Sequence, residues 1–172
     1  LLTPNGNEDW RVGEARTISF NWGGTMPNVE FHYSKNAAAD PATIPANEWI
    51  LIGSQNYGAG DGSGGAVRNF SWAVPNDISN TVRVRVRNVA DTSVNDYSNT
   101  TFKIRGILAL TSPLGNADAN LTERWATYDS KNITWTSTGT MPAVKLQYSN
   151  DNFVSHVVDI NLSATNCIPV SP

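Results

Sequence analysis

A segment near the start of the chain returns in altered form past residue 110, and this echo restricts the fold more than any single motif does. Ile18-Ser19-Phe20-Asn21-Trp22 leads into Thr25-Met26-Pro27 and then Val29-Glu30-Phe31-His32-Tyr33-Ser34. Ile133-Thr134-Trp135-Thr136-Ser137 leads into Thr140-Met141-Pro142 and then Val144-Lys145-Leu146-Gln147-Tyr148-Ser149. Leu2-Thr3-Pro4 likewise answers to Leu110-Thr111-Ser112-Pro113. A period of about a hundred residues exceeds that of solenoid repeats and matches whole small domains in tandem. The expected division is a first domain over residues 1–105 and a partial second copy over 106–172.

Alternation of apolar and polar residues runs through the first copy, with almost no helical period. Residues 16–22 put Ile18, Phe20 and Trp22 on one face; residues 28–34 put Val29, Phe31 and Tyr33 there. A short apolar run covers 49–53, and residues 67–74 align Phe70, Trp72 and Val74. Val82, Val84 and Val86 alternate with Arg83, Arg85 and Arg87, and Phe102 and Ile104 close the unit. Turn formers separate these runs at Pro4-Asn5-Gly6, Gly23-Gly24, Asp40-Pro41 and Pro75-Asn76-Asp77. Ala37-Ala38-Ala39 has room for one helical turn. The pattern predicts an all-β fold of tandem immunoglobulin-like (fibronectin III-like) sandwiches, the second incomplete. In the second copy, strands are expected near 107–112, 131–137, 143–149 and 153–160. Nothing after Asn161 answers to Phe70-Ser71-Trp72 or to the Val-Arg alternation, so half a sandwich would expose an apolar face. Either the chain is a piece of something longer, or another chain lends strands. A junction of one glycine, Gly106, predicts a stiff tandem.

Leu2-Thr3-Pro4-Asn5-Gly6-Asn7-Glu8-Asp9-Trp10, followed by Gly13 and Ile18-Ser19-Phe20, resembles a known repeat. Its usual form is Leu-Thr-x-Pro-Asn-Gly-Gly-Glu-x-Trp, then a Gly, then Ile-x-Trp. Ser71-Trp72-Ala73-Val74-Pro75 and the strand from Val82 to Val86 extend the match. The chain is thus similar to the Ser-Thr-rich, yeast cell-wall-synthesis-like Ig-fold domain of large prokaryotic surface and secreted proteins. Asn7 stands where Gly is usual, and Phe20 where Trp is usual. In the second copy Leu114 replaces Asn, and extra residues precede Trp125. The resemblance implies a structural module and no catalytic residue.

Composition narrows function further. Only 16% of residues are charged and the net charge is -3. That gives no electrostatic footprint for nucleic acid, and no apolar run reaches the roughly 20 residues of a membrane helix. The balance suits an extracellular or cell-surface protein. With neither an initiator Met nor a leader at Leu1, the chain reads as mature or excised. Cys167 is the lone cysteine, so no internal disulfide forms.

Each candidate site has a plain structural reading beside it. Calcium is the one ion the scattered acids point to, through Asp9, Asp61, Asp91 and Asp96; solvated loop carboxylates are the default. The glycine-rich stretch from Gly58 to Gly65 either cradles an ion or is a loop between sheets. His32 and His156 lack metal or acid–base spacing and read as surface residues. Arg83, Arg85 and Arg87 form a cationic row, either solvated or facing an acidic glycan or neighbour. Trp10, Trp49, Tyr57 and Trp125 are the aromatics free to stack on sugar; Trp22, Trp72 and Trp135 belong to cores. Five N-x-Ser/Thr triplets, at Asn69, Asn99, Asn120, Asn132 and Asn161, are no more than composition yields by chance. The function expected is non-enzymatic and needs no cofactor. It is a structural module of a surface lattice (S-layer) or fibre that contacts its own copies or neighbouring domains, and cell-wall glycan is a further possible partner. The alternative is a carbohydrate-binding or adhesion module of an extracellular enzyme.

Overall fold

The computed structural model describes residues 1–24, 26–58, 65–114, 123 and 125–160. It divides into two compact units, Leu1–Arg105 and Gly106–Pro172. In the first unit lie β1 (Asp9–Arg11), β2 (Ala15–Trp22), β3 (Asn28–Ser34), β4 (Ile50–Asn56), β5 (Ala66–Ala73), β6 (Ser79–Asn88), β7 (Asn95–Tyr97) and β8 (Phe102–Arg105). In the second lie β9 (Ile107–Ser112), β10 (Thr134–Thr138), β11 (Gln147–Tyr148) and β12 (Val158–Asp159). The fold is all-β and sandwich-like.

In the first unit a two-stranded sheet, β2–β5, faces a six-stranded sheet in the order β1-β8-β6-β3-β4, with β7 also on β6. The expected alternation holds. Ile18, Phe20 and Trp22 of β2 and Trp72 of β5 meet Val29, Phe31, Tyr33, Val82, Val84, Val86, Phe102 and Ile104 in one buried cluster. Rings lock the two sheets together. Phe31 stacks on Phe70 at 4.1 Å, and Phe20 meets Phe31 edge-on at 5.7 Å. Offset and edge-on pairs suit the ring quadrupoles and add to the stabilisation from burial itself. Gly53 on β4 is glycine because Phe70 fills the place of a side chain: a Cβ there would meet Phe70 Cζ at 3.0 Å.

Two strands, β1 and β7, are each only three residues long, too short for alternation to mark them in the sequence. The single turns between β3 and β4 are 3-10 helices at Pro41–Thr43 and Ala46–Glu48, not at Ala37-Ala38-Ala39. Asp40 decides the first: its carboxylate accepts from the Ala42 N–H at 2.9 Å, and Pro41 fits the opening position.

The second unit repeats part of this pattern. β9 pairs antiparallel with β10, placing Ser112 opposite Thr134. In the first unit Thr3 bridges Ser19, the residues that correspond to them in the repeat. Thr3–Pro4 and Ser112–Pro113 are both cis peptides. β11 pairs with β12, and Leu108, Leu110, Tyr148 and Phe153 are exposed.

Candidate functional site

The motif at residues 2–12 lies along the last strand of its own unit, and each of its residue types has a physical task there. Leu2 and Thr3 donate backbone N–H groups to the Ser19 carbonyl, at 2.8 and 3.1 Å. Pro4 is fully buried, and its carbonyl accepts from Ser98 Oγ at 2.9 Å. Asn5 accepts twice: its side-chain oxygen from Asn99 N–H at 2.8 Å, its carbonyl from Thr100 N–H at 3.2 Å. Gly6 has φ +128 and packs so closely on Thr100 that no side chain fits. Asn7 has φ +68, a left-handed conformation that Asn tolerates better than most residues. Glu8 closes the turn by accepting from the N–H groups of Asn5 and Gly6, at 2.7 and 2.8 Å.

Beyond the turn, β1 runs parallel to β8 with Asp9, Trp10 and Arg11 opposite Lys103, Ile104 and Arg105. Flanking bonds lengthen this seam: Asn7 N–H to the Thr101 carbonyl at 3.1 Å, Lys103 N–H to that of Glu8 at 2.9 Å, and Val12 N–H to that of Arg105 at 2.9 Å. Trp10 turns inward against Trp72 and Phe102. Asp9 pairs with Arg105 Nε at 3.0 Å.

The outer face of the six-stranded sheet is the second candidate, and here the structure departs from the expectation of a solvated face. Arg83, Arg85, Arg87, Glu30, His32 and Ser34 do point away from the inter-sheet core, in cross-strand register. Yet Arg83 is 5% exposed and His32 6%. The connection from β3 to β4 supplies what covers them. Trp49 lies 4.5 Å from the Arg85 guanidinium and 5.7 Å from the Tyr97 ring. Arg83 Nη1 donates to the Ser98 and Asn99 carbonyls at 2.8 and 3.1 Å, and Nη2 to the Ala38 carbonyl at 3.3 Å. This guanidinium ties together three segments distant in sequence. Arg87 pairs with Glu30 at 2.9 Å. Ser98 fills the break between β7 and β8: its hydroxyl accepts from Val84 N–H at 3.0 Å while donating to Pro4.

We expect Arg83→Met to destabilise the first unit by about 2 kcal/mol, because it strands the buried Ser98 carbonyl and removes two partly buried bonds. Arg83→Lys should restore less than half, since an ammonium cannot reproduce the fork. Chemical denaturation of both variants checks this.

His32 is pushed down from 6.5 to about 4, first by burial and then by Arg85 and Arg87, with Glu30 opposing. Its Nε2 lies 3.8 Å from Glu30, and Nδ1 has no hydrogen-bond partner among the described residues. Below pH 6.5 the unfolded chain gains a proton that the folded chain refuses until about pH 4. The His32 contribution is therefore fully present above 6.5 and falls by up to about 3 kcal/mol across that window. Stability curves of wild type and His32→Gln against pH should converge or cross between 6.5 and 4; parallel curves would refute the assignment.

The remaining candidates do not converge. Asp9 is engaged by Arg105, Asp91 accepts from Ser93 N–H and Oγ at 3.0 and 2.6 Å, and Asp96 pairs with the Leu1 amino group. Asp61, most of the glycine-rich stretch, Cys167, Asn120 and Asn161 lie outside the described residues. Among the described residues no three His, Cys, Asp or Glu side chains gather as a metal set. His156 is exposed. Asn69, Asn99 and Asn132 are exposed too. Trp10 and Trp49 are buried, and Tyr57 packs edge-on against Phe20 and Trp22 at 5.7 and 5.8 Å. Trp125 is 40% exposed. A shallow pocket of about 110 Å³ has an apolar side, with Phe20, Met26 and Val86, and a polar side, with Arg87, Asn95 and Asp96.

The sequence carried the turn chemistry of residues 4–8 but not its partner strand, which lies some ninety residues on. Ser98 gave no local signal, and the Val-Arg alternation showed only which side of its strand Arg83 is on, because the partners of both are brought in only by the fold. No family model, curated protein or solved structure matches the chain.

Proposed function

We propose that the chain is part of a large cell-surface or secreted structural protein. In this reading tandem Ig-like sandwiches form a surface-layer lattice or fibre and associate with their own copies or with neighbouring domains. The recurrence of one pairing carries the reading: Thr3 opposite Ser19 in the first unit, Ser112 opposite Thr134 in the second. A repeated scaffold around a repeated motif is what extension or tiling needs. An Ig-like identity is favoured by the divided first strand, with Thr3 on the small sheet and β1 on the large one. Gly106 alone separates β8 from β9, so load would pass between units without a slack linker.

Antibodies against residues 1–105 should label intact cells of the source organism in a continuous or filamentous pattern, and the purified chain should self-associate in sedimentation velocity. Labelling only after lysis would defeat this reading. Exposure of Trp125, Tyr128 and Tyr148 in the second unit favours one alternative, a carbohydrate-binding module. Quenching of Trp fluorescence by cell-wall oligosaccharide, lost in Trp125→Ala, would establish that alternative instead.

A further inference from the structure

We propose that the covered outer face of the six-stranded sheet binds a small inorganic anion of the halide class, held by Arg83, Arg85 and His32. Three nitrogens there are shut off from solvent and lack a hydrogen-bond partner among the described residues: Arg83 Nε, Arg85 Nε and His32 Nδ1. Among those residues no other buried side-chain nitrogen or oxygen is left unpaired. Buried polar groups are almost always bonded, so three orphans in one patch mark a place where an acceptor belongs. The sheet register gathers them. His32 lies directly opposite Arg85 across β3 and β6, and Arg83 stands two positions before Arg85 on the same face.

Donor chemistry and charge both select an anion. An arginine Nε–H can only donate, and neutral His32 donates from Nδ1 in one of its two tautomers, so a single acceptor serves all three. Negative charge is short on this face. The three guanidiniums share one carboxylate among the described residues, that of Glu30, and Arg87 Nε and Nη2 bind it at 3.0 and 2.9 Å. Arg83 gives its two Nη groups to neutral carbonyls, and Arg85 lies over the Trp49 ring at 4.5 Å. A water molecule would supply the missing bonds, whereas an anion also offsets the buried charge, through stronger charge-assisted bonds. Size narrows the class. Arg83 and His32 are 5% and 6% exposed, so an acidic sugar could reach them only by lifting the connection that carries Trp49. Arg85 is half-buried and leaves a small ion a way in.

The site concerns the first unit alone and stands apart from the surface-layer reading. An ion held by the folded unit and not by the unfolded chain makes stability depend on its concentration. The full 172-residue chain is melted while sodium chloride replaces sodium gluconate at constant sodium. Between about 10 and about 300 mM chloride the midpoint of the first unit should rise by about 4 °C or more, levelling off as the site fills. Arg85→Met should flatten that response. The NMR line of chloride should broaden with the wild-type chain and much less with Arg85→Met. Should Arg85→Met fail to fold, crystals of the unaltered chain grown in sodium bromide decide. Their anomalous signal should place bromide within about 3.5 Å of Arg85 Nε and His32 Nδ1. Bromide found only elsewhere on the surface, or a chloride response of equal size in wild type and variant, overturns the proposal and leaves the three nitrogens to water.

Discussion

Gly6→Ala is expected to destabilise the first unit by roughly 3–5 kcal/mol, the sum of a backbone and a steric penalty. The backbone penalty arises because φ is +128, a region that is nearly reserved for glycine. The steric penalty arises because a Cβ would lie 1.8 Å from Thr100 Oγ1 and 2.9 Å from Thr100 Cβ. Nothing nearby yields easily: Asn5 and Asn7 on either side of Gly6 are bonded to residues 99–101 of the facing segment. For a unit of this size the thermal midpoint should fall by about 15 °C or more. Gly13→Ala separates the two penalties. Gly13 also has positive φ, +83, but a Cβ there would meet nothing within 4 Å. Only the conformational penalty of about 1 kcal/mol should remain. Adding Thr100→Gly to Gly6→Ala should recover part of the loss by removing the clashing side chain. Equal effects at Gly6 and Gly13 would mean that the contact with Thr100 does not exist.

Alternation made the inner faces legible, and this is why Ile18, Phe20, Trp22, Val82, Val84, Val86, Phe102 and Ile104 all lie where a period of two puts them. The same period identified Arg83, Arg85, Arg87 and His32 as facing away from that core. It carried no information on what crosses the far side of the sheet. A strand's pattern states which side a residue is on; only the path of residues 35–49, bringing Trp49 onto Arg85, states whether that side is wet. Trp10 and Trp49 illustrate the limit. Both are buried, one between the sheets and one outside them, and neither sits in a long alternating run. The motif at residues 2–10 was legible as turn chemistry. Its bond to Asn99 and its contact with Thr100 were not, since nothing local to either segment encodes the meeting.

Trp72→Ala should cost roughly 3–5 kcal/mol, the range for deleting a buried aromatic from a core that cannot fully collapse. Trp72 is 5% exposed and sits where three elements meet. Its ring is 5.7 Å from Trp10 on β1, edge-on, and 5.4 Å from Tyr33 on β3. Losing it opens a cavity at the base of the parallel seam and removes ring contacts that join the two sheets. Phe70→Ala, one inward position earlier on β5, should cost less, about 2–3 kcal/mol, because Phe70 is only partly buried. The order of the two is the sharper test, since it depends on which ring is enclosed and not on aromatic size alone. A double-mutant cycle between Trp10 and Trp72 should also show coupling of about 1 kcal/mol, as expected for contacting rings. Denaturant titration followed by near-UV circular dichroism reports all four variants, the two single Trp changes, their combination and Phe70→Ala. A Trp72→Ala chain whose midpoint barely moves would place that ring outside the core and unseat the packing of β5 on the larger sheet.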